Sequence, residues 1–248
     1  MLCRHVQATN ASSFSVCAHH SGAAAAVLPC VNSIVSGISI SSEAQHTCVL
    51  MSYGAVRCWG YNLYGQLGDG TASNKLSPPL LDVMISGTVT AVAVGGLHTC
   101  VLLSSGDVRC WGYNLHGQLG YGDTSIRTSP PTTNVNVGAA VSAIATGEAF
   151  TCVLTVSGGV RCWGYNLKGQ LGDGSTISRV SPPTKNVALL GPTAYISTGQ
   201  SFACALLTDA SVQCWGLNDA GQLGYGDTSQ RASPGALLSL APALSIKK

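Results

Sequence analysis

With 248 residues the chain is long enough for one large or two ordinary domains, and an apolar content of 46% can fill a core. Only 9% of residues are charged, the formal net charge is +2, and no basic cluster exceeds Lys247–Lys248, which excludes an electrostatic footprint for nucleic acid. The longest apolar run, Ala23–Leu28, falls far short of the ~18–20 residues that a membrane span requires.

Residues 1–35 carry no strand or helix pattern and are expected to form an irregular N-terminal segment. Three readings of it stay open: a flexible leader, a divergent edge strand, or the ragged start of a fragment. Its apolar run, preceded by Arg4 and two histidines, is a poor signal-peptide core. The sequon Asn10-Ala11-Ser12 matters only if the chain enters a secretory route.

From about residue 36 to residue 235 the sequence repeats. "CWGYNLYGQLGDG" begins at Cys58, and close copies begin at Cys110, Cys162 and Cys214, each 52 residues on. A fixed period of this size is the signature of a repeat array. The units run about 36–87, 88–139, 140–191 and 192–235, with 236–248 as a C-terminal tail. In the second unit, "TVTAVAVG" at Thr88–Gly95 alternates apolar and small polar residues. "HTCVLL" follows at His98–Leu103, then a turn at Ser104–Asp107 and the run "VRCWG". Short β-branched runs with period-two alternation, divided by Gly, Ser and Asp, predict strands joined by hairpins. "GQLGYG" and "SPP" then form a structured exit loop, since proline cannot continue a ladder. Small antiparallel units that cannot bury both faces alone stack on their neighbours, as a solenoid or as propeller blades. The fold class expected is all-β.

The stretch "HTCVLLSSGDVRCWGYNLHGQLG" at His98–Gly120 resembles the repeat of the regulator of chromosome condensation family. The resemblance implies propeller blades of four antiparallel strands. Founders of that family are nuclear exchange factors for Ran-like small GTPases, with seven blades and an inserted wedge. Here there are four copies and no such insertion, so the expected geometry is an open arc of a seven-bladed type. Its bare ends would need a longer array, the N-terminal segment or self-association with a second copy to cover them. The plant ultraviolet-B photoreceptor, a relative by fold, relies on a tryptophan cluster on one face, whereas each tryptophan here is the same blade residue.

Within the shared phrase, Trp59 and Leu67 offer burial, Gly60, Gly65, Gly68 and Gly70 offer backbone geometry, and Asn62 and Gln66 are placed to bond turn backbone. No nucleophile–base pair occurs in it, so the phrase reads as mechanical and the chain as non-enzymatic, with no cofactor expected. Of eleven cysteines, eight are in register: Cys48/Cys58, Cys100/Cys110, Cys152/Cys162 and Cys204/Cys214. Each pair is symmetric about its hairpin turn, which places the two residues opposite each other and predicts cross-strand disulfides. Disulfides imply an extracellular or other oxidising compartment, making this a disulfide-bearing variant of the family; reduced, buried thiols would instead fit cytoplasm or nucleus. Metal binding is the other alternative, because His46 and His98 share a strand face with a cysteine, but the same position is Phe150 and Phe202 in the later copies. Cys3, Cys17 and Cys30 follow no register, and one odd cysteine must stay free or pair between chains.

Function is sought where the copies differ. One variable position holds Tyr64, His116, Lys168 and Ala220; a second stretch places Lys75, Arg127, Arg179 and Arg231 in one register, a sparse basic arc on one side of the wheel. Asp69, Asp123, Asp173 and Asp227 sit in Gly-rich turns, where their default role is an Asx turn. The expected function is a non-catalytic module that presents these loops to a protein partner from a rigid scaffold. The alternative is an exchange factor or regulator for a Ran-like GTPase.

Overall fold

The computed structural model describes residues 34–40 and 44–238, and the backbone of four residues nearer the N-terminus. The chain divides into two compact units, Met1–Val35 and Ser36–Lys248. In the first, strands β1 (Arg4–His5) and β2 (Ser15–Val16) pair antiparallel. Cys3, Cys17, Cys30, the sequon and the tail beyond residue 238 lie outside the described residues.

The second unit is all-β, and among the described residues there is no helix that could cross a membrane. It forms four three-stranded antiparallel sheets: β3 (Val35–Ser39), β4 (His46–Met51) and β5 (Val56–Gly60); β6 (Val89–Val94), β7 (His98–Leu103) and β8 (Val108–Gly112); β9 (Val141–Thr146), β10 (Phe150–Thr155) and β11 (Val160–Gly164); β12 (Thr193–Thr198), β13 (Phe202–Leu207) and β14 (Val212–Gly216). Where the family resemblance implies a fourth strand, each sheet has a one-residue antiparallel bridge, Gly60 to Lys75, Gly112 to Arg127, Gly164 to Arg179 and Gly216 to Arg231. The exit loop's glycines and "SPP" leave no longer extended run to pair. The innermost strands of the four sheets border one hollow of about 300 Å³, lined by small residues such as Ser39, Ala93, Ala145 and Ser197.

Each sheet presents its cysteine face forward, to the next blade. Cys48, Val56, Cys58 and Leu67 of the first blade cluster with Val89, Val101, Leu103 and Trp111 of the second, and the same arrangement recurs at the second and third junctions. Hydrogen bonds staple the junction. The backbone carbonyl of Gln66 accepts from the Trp111 indole N–H (3.0 Å) and from the Thr99 hydroxyl (2.8 Å), and Thr99 stands 2.8 Å from His46 Nε2. Because the Thr99 proton goes to Gln66, His46 must donate through Nε2, which leaves Nδ1 an unprotonated, buried and unpartnered acceptor among the described residues. The second junction repeats this with His98, Thr151, Gln118 and Trp163. At the third, Phe150 has no donor to give, the threonine's place is taken by Ala203, and only the Trp215 indole reaches the Gln170 carbonyl (2.9 Å). The His-or-Phe position is thus a junction contact whose partner changes with it.

Burial in this apolar site lowers the pKa of His46 to about 4 and, with the neighbouring His46 adding to burial, that of His98 to about 3. In the unfolded chain both return to about 6.5. The unfolded state therefore takes up protons first, and the stability present at neutral pH is lost as pH falls from 6.5 toward those values. Between pH 6 and pH 5 the two histidines should remove about 2 kcal/mol, measured as a shift in denaturant midpoint. His98→Phe, which copies the third junction, should roughly halve that loss; an unchanged slope would refute the assignment.

Among the described residues no further blade packs on the forward face of the fourth. Gly68, Gly120 and Gly172 each lie so close under the next blade's tryptophan that an added Cβ would stand 2.5–2.6 Å from its indole nitrogen. At the corresponding Gly224 a Cβ would meet, among the described residues, Leu238 of its own blade. Phe202 and Cys204 are half-buried there, whereas Phe150 and Cys152 are buried.

Candidate interaction surface

The turn after each third strand is built by two side chains of the shared phrase. Asn62 Oδ1 accepts from Leu67 N (2.9 Å), and its Nδ2 donates to the carbonyls of Thr71 and Ser73 (3.1 Å each), while Gln66 Oε1 accepts from Tyr64 N (3.1 Å). Asn114, Asn166 and Asn218 repeat the pattern. These amides are buried and replace a strand ladder with a side-chain frame. The frame aims residue 64 and its counterparts outward and pulls the following loop back beside the third strand.

The expected basic arc is neutralised within each loop. Lys75 pairs with Asp69 (3.1 Å), Arg127 with Asp123 (2.8 Å), Arg179 with Asp173 (2.6 Å) and Arg231 with Asp227 (2.8 Å). Two loop designs alternate. In the first and third copies the acid lies in "LGDG"; in the second and fourth a tyrosine takes that place, the acid moves two residues on, and the arginine also lies over the ring, 4.4 Å from the Tyr121 centroid and 4.3 Å from that of Tyr225. Each aspartate closes an Asx turn on the backbone two residues later. The hydrogen-bonded Arg127 holds the Asp123 carboxyl at about 2, and Arg231 does the same for Asp227. Exposed pairs of this kind contribute ~0–1 kcal/mol, so they shape the rim more than they stabilise it.

A different feature joins the copies across the face. Tyr61, Tyr113 and Tyr165, the same residue in the first three copies and Leu217 in the fourth, interleave with the variable Tyr64 and His116 in one aromatic row. Ring centroids are 6.4 Å apart for Tyr61–Tyr64, 4.8 Å for Tyr64–Tyr113, 6.2 Å for Tyr113–His116 and 4.7 Å for His116–Tyr165. The backbone N–H of each of these three tyrosines donates to the loop ahead of the second strand, to Gln45, Leu97 and Ala149 respectively, which pins the row to the sheet ends. Lys168 and Ala220 continue the register as exposed residues beyond it. Beside the turns, Leu63, Leu115 and Leu167 are 56–58% exposed at one shared position. An apolar side chain held outside in three successive copies is not accounted for by core packing. Exposed apolar residues also gather at Leu76, Leu80, Leu81 and Met84 of the first blade. Among the described residues no three His, Cys, Asp or Glu side chains are grouped to hold a metal ion.

The family described as "Regulator of chromosome condensation (RCC1) repeat" matches residues 53–102, 105–154 and 157–206, more than half of the chain. A second form of that repeat matches 38–66, 89–118, 141–170 and 194–222. The chain belongs to the RCC1-repeat family. It is 36% identical over 200 residues to the probable E3 ubiquitin-protein ligase HERC4 of Homo sapiens, covering 79% of this chain and 19% of the ligase. It is 31% identical over 201 residues to the ultraviolet-B receptor UVR8 of Arabidopsis thaliana, covering 80% of this chain and 46% of the receptor. The chain thus spans less than half the length of these curated relatives. Among solved structures it superimposes on human WBSCR16 with a TM-score of 0.73 at 22% identity, covering 87% of this chain and 56% of that one. On yeast RCC1 (Prp20), solved with Kap60 bound, the TM-score is 0.69 at 16% identity, covering 90% and 56%. These likenesses establish an RCC1-type propeller fold.

Within this RCC1-repeat frame the eight registered cysteines come together as four pairs of directly opposed residues, with sulfurs 2.06–2.10 Å apart. Tyr64 and His116 join the aromatic row, Lys168 lies past its end, and Lys75, Arg127, Arg179 and Arg231 form a separate row of closed ion pairs. Tyr61, Tyr113 and Tyr165, and likewise Leu63, Leu115 and Leu167, recur in three of the four copies, so a search for positions that differ between copies does not single them out. Their signal is chemical: a leucine repeated in three copies next to a buried asparagine in a two-residue turn has no core to enter.

Proposed function

We propose that this RCC1-repeat chain is a non-catalytic protein-interaction module, and that the aromatic row with the exposed leucines beside it is the surface it offers. The observation that carries the reading is the row itself: five aromatic side chains from three blades, placed on one face by a rigid turn frame. Aromatic side chains supply large contact area at little entropic cost, which is why they are enriched in binding surfaces. Prp20p of Saccharomyces cerevisiae, a structural relative, has binding properties to Gsp1p and histones, and the same protein is solved with Kap60 bound; for this chain a protein partner is an extension of that precedent. The opposed cysteine pairs support an extracellular or other oxidising compartment.

The test is selection from a random peptide library on the immobilised chain. Peptides should be retained by the parent protein and lost on a Tyr64→Ser/Tyr113→Ser variant of unchanged thermal midpoint. If the selected peptides bind that variant equally well, the row is not the surface. Exchange activity is tested in parallel by release of labelled GDP from a Ran-type GTPase, and the expected result is no acceleration over the intrinsic rate.

A further inference from the structure

We infer that the aromatic row contains a receptor cleft for an organic cation, the ammonium or guanidinium head of a lysine or arginine side chain on the partner. This rests on the interaction-module reading and names the chemistry of its ligand. Between the first three blades Tyr61, Tyr64, Tyr113, His116, Gln118 and Glu148 line a cleft of about 450 Å³, several times the space an alkylammonium head fills. Four aromatic rings contribute to its lining, with Tyr64 and Tyr113 only 4.8 Å apart and set edge to face. A ring face attracts a cation because its quadrupole is negative there, and several rings around one site make a cage for ammonium groups.

Glu148 supplies the charge. It sits in the loop between β9 and β10, fixed at both ends of its peptide: its N–H donates to Gln200 O and its carbonyl accepts from Gly96 N (3.0 Å each). Where the second copy has Gly96, the third has this acid, so the feature belongs to one junction and not to the repeat. The loop acids Asp69, Asp123, Asp173 and Asp227 are all matched by a cation of their own loop, and Asp82 by Arg57. Glu148 makes no ion pair among the described residues, although it borders the tyrosines. The exit-loop acids are cancelled locally; Glu148, like Asp219 of the fourth blade's turn, has no paired cation among the described residues, and of the two it is Glu148 that lines the cleft with the aromatic rings.

The probes are choline and its uncharged isostere 3,3-dimethylbutan-1-ol, titrated into the full chain and followed by the ligand's own methyl resonance. Choline should bind saturably with an upfield shift from ring currents, and the alcohol at least about tenfold more weakly, as expected when a charge-assisted contact is lost. Glu148→Gln should weaken choline by about tenfold with no change in thermal midpoint, Tyr113→Leu should abolish the upfield shift, and Lys168→Ala should change neither. A lysine-containing peptide that binds more tightly than choline, and loses the gain when norleucine replaces lysine, assigns the head group to a protein side chain. Equal binding of choline and the alcohol, indifference to Glu148→Gln, or no saturable binding would each overturn the inference. Library peptides that need the tyrosines but carry no positive charge would leave the interaction surface standing and remove only its cation cleft.

Discussion

Trp111→Ala is expected to lower the unfolding free energy by ~3–5 kcal/mol, because truncating a buried tryptophan adds a cavity to the lost transfer energy. Trp111 is fully buried, in the forward cluster of the first blade, and its indole nitrogen donates to Gln66 O. Trp59, in the same register but half-buried with no preceding blade among the described residues, should cost clearly less. Substitution by phenylalanine separates the ring from its donor. At the first junction Gln66 O keeps the Thr99 hydroxyl when the indole N–H is removed, whereas at the third Gln170 O loses its one side-chain donor, since Ala203 replaces threonine. Trp215→Phe should therefore exceed Trp111→Phe by about 1 kcal/mol, the cost of an unsatisfied buried acceptor. Denaturant midpoints at constant slope decide it. Equal costs would mean that the carbonyl staple carries no energy, and a Trp111→Ala protein of unaltered midpoint would remove the structural reading of the repeated phrase.

The all-β class, the strands within each copy and the opposed cysteines were legible because each rests on a local rule. Alternation of period two places the strands, and symmetry about a short turn places Cys100 opposite Cys110. The junction chemistry was also written in the chain, but across copies: His46 and His98 are followed in the next copy by Thr99 and Thr151, whereas Phe150 is followed by Ala203. Reading each column alone shows a position that tolerates phenylalanine. Reading one column against its neighbour's next copy shows a donor and its acceptor, present or absent together.

Charge balance on the rim is legible only with loop geometry. Four cations in one register suggested a basic arc, yet the acid that cancels each lies four or six residues earlier and changes place between alternate copies, so no single column holds both partners. Conformation was hidden for a similar reason. Ala210 occupies the hairpin position held by Gly54, Gly106 and Gly158 and adopts the same left-handed geometry, with φ of 69°. An alanine gives no sign of that demand; the three earlier glycines do. The aromatic row was illegible because burial decides it: a tyrosine in a repeated phrase looks like core until the turn frame is seen to turn it outward.

Reducing the cysteine pairs should destabilise the fold more than any single substitution. Each pair closes a loop with a sequence separation of 10, which the chain-entropy account values at ~2–3 kcal/mol, so four together outweigh one buried tryptophan. Mass mapping of unreduced peptides should find Cys48–Cys58, Cys100–Cys110, Cys152–Cys162 and Cys204–Cys214. The order of reduction follows from which face is covered. Cys48, Cys58, Cys100, Cys110, Cys152 and Cys162 lie in the clusters between blades, at most 2% exposed, and a reductant reaches them only when a junction opens. Cys204 lies on the fourth blade's forward face, against which no further blade packs among the described residues, and is half-buried. Thiolate attack requires access to sulfur, so Cys204–Cys214 should be cleaved first under native conditions, with the other three following at the rate of local unfolding. Timed alkylation with mass readout measures this directly. Free thiols at all eight positions in the purified protein, or links between blades, would refute the pairing and point to a reducing compartment; simultaneous loss of all four would mean that the fourth blade's forward face is covered by something that the open arc does not show.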